Sequence, residues 1–308
     1  MTGDLLTYIR QRRAEIDAAL NAILPTPDDG CPAPVGDAMR YSLAAGGKRL
    51  RPILCLASAE AVGGDRAVAM PVACAIEMIH TYSLIHDDLP AMDDDTMRRG
   101  RPTRHVIAGE GMAILAGDGL LTEAFYLLGR EPSATDPVTA RRKLEVIQIV
   151  AAAAGPRGMV GGQAIDLASV RPDPSGRLAP PLDAADLRRM HAKKTGALIR
   201  VSAVAGAIMG GGTDAQVAAI DTAAGEYGLA FQIVDDILDV EGESAHLGKT
   251  PGKDAAAGKP TYPALYGLEQ SRAMAAECLG RAEAALNSGG LADAYLLGIG
   301  RWIVERSN

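Results

Sequence analysis

Two crowded groups of carboxylates are the residues in this chain best suited to chemistry. Asp87, Asp88, Asp93, Asp94 and Asp95 follow an apolar, helix-patterned run that holds Ile79, Leu84 and Ile85. Asp235, Asp236 and Asp239 sit inside the apolar segment Phe231-Gln232-Ile233-Val234-Asp235-Asp236-Ile237-Leu238-Asp239. Carboxylates this close repel one another, and a folded chain keeps them in water or around a cation. Water is a poor explanation for the second group, whose neighbours are apolar. On a helix, residues three and four apart share a face, so Gln232, Asp235, Asp236 and Asp239 form one acidic edge. Ile233, Val234, Ile237 and Leu238 lie mainly elsewhere and can pack in a core. Adjacent aspartates do not fit a calcium loop of EF-hand type, which wants acids at alternating positions, then Gly and a distal Glu. Zinc is disfavoured because no Cys joins the aspartates, and His80 and His86 lie awkwardly. Hard oxygens with few other donors suit Mg2+, which keeps waters and shares phosphate oxygens. The two groups are expected to face each other and to share Mg2+ and a diphosphate.

Basic residues accompany both groups. Lys48, Arg49 and Arg51 follow Gly46-Gly47, and Arg98, Arg99 and Arg101 follow the first aspartates. Lys193 and Lys194 precede Thr195, and Lys249, Lys253 and Lys259 occupy a stretch without periodicity. Gly46-Gly47-Lys48 lacks the spacing of a P-loop. Cations beside carboxylates imply two anions, one held through metal and one directly on Arg and Lys. The reaction this permits is ionisation: metal draws charge from a diphosphate, which departs and leaves an allylic cation. The surrounding pocket must exclude water and offer dipoles rather than nucleophiles. Thr195, Gln232 and backbone carbonyls are suitable. No Ser-His-Asp or Cys-His signature is present.

The elements that must position these groups read as helices. The chain has 308 residues, 48% hydrophobic and 4% aromatic, which suits one large helical domain over 1–308 with an Ala- and Leu-rich core. A net charge of −7 without a basic stripe argues against nucleic acid. Cys31, Cys55, Cys74 and Cys278 form no CxxC pair, which suits a reduced, cytoplasmic protein. The first residues carry no apolar signal region. The apolar tract 197–210 is interrupted by Arg200 and too short for a membrane span. Helices are expected at about 5–23, 37–45, 52–61, 67–88, 112–128, 138–154, 183–209, 213–239, 264–287 and 291–305. Loops are expected at 25–36, 155–162, 169–182 and 241–259, with a basic turn at 98–102. No alternating window supports a strand.

The motifs, in order, resemble those of the trans-isoprenyl diphosphate synthases, most closely the bacterial farnesyl diphosphate synthase (geranyltranstransferase) type. They are Gly46-Gly47-Lys48-Arg49-Leu50-Arg51-Pro52, Asp87-Asp88-Leu89-Pro90-Ala91-Met92-Asp93 and Arg98-Arg99-Gly100. Gly161-Gly162-Gln163-Ala164-Ile165-Asp166-Leu167, Lys194-Thr195-Gly196, the Phe231–Asp239 segment and Gly258-Lys259-Pro260-Thr261-Tyr262-Pro263 complete them. The resemblance implies an all-α fold around a deep cavity, a homodimer, and head-to-tail condensation of dimethylallyl or geranyl diphosphate with isopentenyl diphosphate. It implies that Lys48, Arg51, His80 and Arg99 hold isopentenyl diphosphate. Asp87 and Asp93 would bind Mg2+ with support from Asp88, and Asp235 a further Mg2+ with Asp236 and Asp239. Arg98, Lys194, Lys249 and Lys259 would serve the allylic diphosphate, with Thr195 and Gln232 beside the cationic carbon. The residues just before the first aspartate form the cavity floor in this family. Tyr82, five before Asp87, and the two extra residues within the motif look like the farnesyl type. On an ideal helix Ser83 lies nearer the face of Asp87, while Tyr82 is roughly 140° away. A geranylgeranyl diphosphate synthase and a non-catalytic subunit of the same fold are the alternatives.

Overall fold

Helix formers and apolar residues spaced three and four apart build nearly all of the chain. The computed structural model describes residues 3–134, 136–170, 175–177, 180, 182–241 and 261–306. The first helices are α1 (Gly3–Ile23), α2 (Ala33–Leu43), α3 (Leu50–Ala61) and α4 (Arg66–Asp87). A two-stranded ribbon, β1 (Met97–Arg98) and β2 (Arg101–Pro102), precedes α5 (Arg104–Ala108) and α6 (Glu110–Arg130). Next come α7 (Pro137–Ala154), α8 (Met159–Val170), α9 (Ala184–His191), a π-helical turn Ala192–Gly196, and α10 (Ala197–Gly210). The long α11 (Asp214–Glu241), α12 (Tyr262–Tyr266), α13 (Leu268–Ser288) and α14 (Ala294–Glu305) complete the described chain. The all-α expectation holds.

α10 is central and packs on α3, α4, α7 and α11, while α4 packs on α3 and α6. One continuous apolar core runs from Leu5 to Ile303. Small residues let the central helices approach. A Cβ at Gly206 of α10 would lie 2.0 Å from the Cys55 carbonyl oxygen of α3, and one at Gly210 would lie 2.8 Å from that of Ala59.

Several boundaries differ from the sequence expectation. The basic turn at 98–102 is a short hairpin pairing Met97 with Pro102 and Arg98 with Arg101. Arg99 and Gly100 have φ of 52° and 73°, the paired left-handed conformation that matches strand twist in two-residue hairpins. α2 begins at Ala33, since Pro34 in its first turn needs no N–H partner there. α8 runs through Gly161 and Gly162, so only the first part of 155–162 is a break. α5 was not anticipated, being too short to show a period. By length and composition α4 and α6 could each cross a bilayer, which the tract 197–210 alone does not reveal. In the fold 67% of the α4 window is buried, as in a core helix, against 39% for α6.

Gly206→Ala is expected to overpack the α3–α10 contact and cost about 1–3 kcal/mol. Gly225→Ala on α11, where a Cβ meets nothing within 4 Å, should leave stability unchanged or slightly higher. Thermal unfolding of both variants beside the parent measures the difference.

Candidate active site

The first acidic group is shaped by a main-chain turn at the end of α4. Pro90 cannot continue the helix hydrogen bonding. The chain turns back instead, with the N–H groups of Met92 and Asp94 donating to the Leu89 carbonyl at 2.8 and 3.1 Å. Asp94 takes a φ of 53°. Asp93 N–H then donates to the Asp87 carbonyl at 2.8 Å, and Asp95 N–H to that of Asp88 at 3.2 Å. Two aspartates six residues apart are thus returned to one helix end. Burial pushes the Asp87 carboxyl up to about 6; Asp93 and Asp88 add to this, and Lys194 opposes it. Asp88 is buried and clasped by Arg98, with Nε 2.7 and 2.9 Å from its two oxygens and Nη2 2.5 Å from Oδ1. Arg98 also lies 3.7 Å from Asp95. The hairpin thus supplies a cation directly against Asp88, and Asp94 remains exposed beside them.

Lys194 reaches this group from the π-helical turn, a distortion that re-aims side chains at functional sites. Its Nζ donates to Asp166 Oδ2 at 2.5 Å. Gly162 explains how. A Cβ there would lie 2.1 Å from Lys194 N, so α8 rests directly on the backbone of the turn. Asp166, four residues on, shares that face and meets Lys194. Burial works against the Lys194 charge, but Asp166, Asp87 and Asp93 outweigh it and raise its pKa. Gly228 of α11 lies close on Gly196 in the same way, a Cβ there being 3.0 Å from Gly196 Cα. Gln232 is again four residues on, so it and Thr195 flank one helix crossing, and both are half-buried.

The second acidic group follows the periodicity read from sequence. Ile233, Val234 and Ile237 are buried, while Gln232, Asp235, Asp236 and Asp239 are half-buried along one edge. Asp235 Oδ1 is 2.6 Å from Nη2 of Arg306, which also donates to the Phe231 carbonyl at 2.7 Å. The Arg306 guanidinium lies 3.9 Å over the Phe231 ring. Asp236 accepts the Tyr262 N–H at 2.9 Å and so ties α11 to the start of α12.

The basic residues after Gly46-Gly47 gather around the same region. Gly46 and Gly47 have φ of 78° and 125°, and Arg99 Nη1 donates to the Gly46 carbonyl. A Cβ at Gly47 would lie 2.5 Å from Arg99 Cζ, so glycine is needed both for its φ and for the guanidinium laid over it. Burial pulls the Arg51 guanidinium down to about 10; Glu77 and Asp235 resist, and Arg99 adds to the drop. Burial, with Arg51 and Arg99 next, drives His80 well below the usual imidazole range. His80 is therefore neutral at pH 7. Desolvation lowers Lys48, with Arg306 adding and Asp235 opposing. Lys48, Arg51, His80 and Arg99 thus come together beside Asp235, and Lys194 stands with Asp87 and Asp93. Lys249, Lys253 and Lys259 lie outside the described residues.

Among the described residues no three of His, Cys, Asp and Glu converge on one point. Mg2+ does not require that. It takes one or two carboxylates and completes its octahedron with water and phosphate oxygens. Asp87, whose carboxyl is raised by burial and by its acidic neighbours, is a donor that a cation would ionise, so the residues fit Mg2+. Two further polar residues gain a place that sequence reasoning did not give them. Asp166 could have been found from its spacing to Gly162. Arg306 offers no signal, because nothing near it in sequence is patterned with Asp235.

A folded-state pKa above the unfolded value makes the Asp87 contribution most favourable in acid. It is lost as pH rises from about 4 through about 6. Without metal, Asp87→Asn is therefore expected to stabilise the protein at pH 7 by on the order of 1–2 kcal/mol, and less near pH 4.5. Thermal melts at both pH values in chelator measure this.

Residues 32–288 match the polyprenyl synthetase family. A farnesyl diphosphate synthase of Geobacillus stearothermophilus is 48% identical over 261 residues, 85% of this chain and 84% of that protein. Geranylgeranyl pyrophosphate synthase 11 of Arabidopsis thaliana is 48% identical over 274 residues, 88% of this chain and 73% of that one. The crystal structure of an FPP/GFPP synthase from Zymomonas mobilis superposes with a TM-score of 0.82 at 39% identity, covering 99% of this chain and 100% of that one. With its fold, its motifs and these relatives in agreement, the chain belongs to the polyprenyl synthetase family.

Proposed function

We propose that the chain makes farnesyl diphosphate, by adding isopentenyl diphosphate to dimethylallyl and then geranyl diphosphate. Membership of the family supports trans-prenyl transfer as the reaction and isopentenyl and allylic diphosphates as the substrates. The finer product assignment is carried by Tyr82. Its side chain is 7% exposed on α4, five residues before Asp87, with its ring edge-on to His86 at 5.6 Å. Ser83 Oγ donates to the His80 carbonyl at 2.9 Å, so the next residue is small and turned onto its own helix. A bulky ring at the floor stops the growing chain at three isoprene units. A geranylgeranyl product is the second reading, because geranylgeranyl synthases are as similar to this chain as the farnesyl synthase.

Asp87, Asp93 and Asp235 would hold Mg2+, which the family uses and which would supply positive charge to the departing diphosphate. Lys194, fixed by Asp166, orients the allylic diphosphate, with Arg98 on the same anion. Lys48, Arg51, Arg99 and neutral His80 hold isopentenyl diphosphate. The Thr195 hydroxyl and Gln232 amide turn dipoles toward the cationic carbon and add no strong nucleophile. The released diphosphate takes the final proton, so no side-chain base is needed. A homodimer would cover the apolar face of α5 and α6, where Val106, Ile107, Ile114 and Leu115 are exposed.

Incubation with dimethylallyl diphosphate, isopentenyl diphosphate and Mg2+ should yield farnesyl diphosphate, identified after dephosphorylation by chromatography. Chelator should abolish turnover. Tyr82→Ala should lengthen the product by one or more five-carbon units, and an unchanged product would remove Tyr82 from the floor. Leu115→Glu should shift the mass in light scattering toward a monomer.

A further inference from the structure

Arg49 stands between Lys48 and Arg51, yet its side chain is turned into the protein and only 3% exposed. It takes a left-handed φ of 50° just before α3. Each of its nitrogens is bonded to a different element. Nε donates to Asp17 Oδ1 of α1 at 2.8 Å, Nη1 to Glu77 Oε1 of α4 at 2.7 Å, and Nη2 to the Leu43 carbonyl ending α2 at 2.6 Å. Glu77 is 2% exposed. It lies three residues before His80 and so shares its face of α4. Its charge acts on Arg49, Arg51 and Arg99 alike. Three guanidiniums gathered at one place repel one another, most strongly at Arg49 and Arg51, which are buried. A shared buried carboxylate offsets that repulsion before any anion arrives.

We infer that Glu77, acting through Arg49, is a positioning residue for the diphosphate site lined by Lys48, Arg51, His80 and Arg99. Arg49 bolts the Gly46-Gly47 turn to three helices, and Arg99 lies over that turn. Glu77 holds Arg49 and supplies the negative charge that keeps these cations together. The inference rests on the assignment of isopentenyl diphosphate to these four residues. A purely structural ion pair would behave differently, because its loss lowers the folded fraction and does not select between substrates.

Glu77→Gln keeps an oxygen for Arg49 Nη1 and removes the charge. Steady-state rates with isopentenyl and geranyl diphosphate varied separately, beside thermal melts, provide the test. Glu77→Gln should raise KM for isopentenyl diphosphate about tenfold or more and leave KM for geranyl diphosphate nearly unchanged. Equal KM changes, or a lower kcat alone, would overturn the inference. Should Glu77→Gln not fold, Asp17→Asn decides, since Asp17 is half-exposed and holds the other side of Arg49. It should give a smaller rise in the same KM, and no rise overturns the inference. Arg51→Gln tests the underlying assignment. If it fails to raise KM for isopentenyl diphosphate, the site assignment falls. If it does raise it while Glu77→Gln does not, the site stands and the role of Glu77 falls.

Discussion

The repulsion between carboxylates at the buried end of α4 is the constraint that the rest of the site answers. Asp87 and Asp88 are adjacent, and the turn through Pro90 brings Asp93 back beside them. Without compensation such a group would protonate or pull apart. The hairpin brings Arg98 onto Asp88, and the π-helical turn brings Lys194 toward Asp87 and Asp93. Even so, the Asp87 carboxyl stays well above its ordinary range. A cation and a diphosphate would relieve what the protein leaves uncompensated. The fold thus carries a local electrostatic cost at Asp87, as expected where function competes with stability.

Glycines set much of the geometry. Gly162 lets α8 rest on the backbone of the π-helical turn, and Asp166 then meets Lys194. Gly228 lets α11 approach Gly196, and Gln232 follows one turn later. Gly47 leaves room for the Arg99 guanidinium. In the two helices, the missing side chain brings two backbones together so that a polar residue on the same face can reach across. The motif glycines and the motif polar residues are therefore one device rather than separate signals.

The opposite charge problem arises on the other side of the site. Arg49, Arg51 and Arg99 gather at one place, and the buried Glu77 carboxylate acts on all three. Asp235 lies between Arg306 and the electrostatic reach of Lys48 and Arg51. Acidic and basic sets thus hold each other in place.

The sequence alone determined the all-α class, the acidic edge on α11 and the identity of the family. Each depends on local information: composition, a 3.6-residue period, or motifs in order. Ile233, Val234 and Ile237 are buried and Asp235, Asp236 and Asp239 lie along the edge, as the period requires. Only the tertiary structure decided that Arg98 belongs to Asp88, Lys194 to Asp166, Arg306 to Asp235 and Arg49 to Glu77. These pairs join separate elements, and no periodicity encodes which charge meets which. The hairpin at Met97–Pro102 and the helical course of Gly161-Gly162 were likewise hidden. Glycine-rich and charged segments carry weak local preference, and their conformation is set by the helices packed against them.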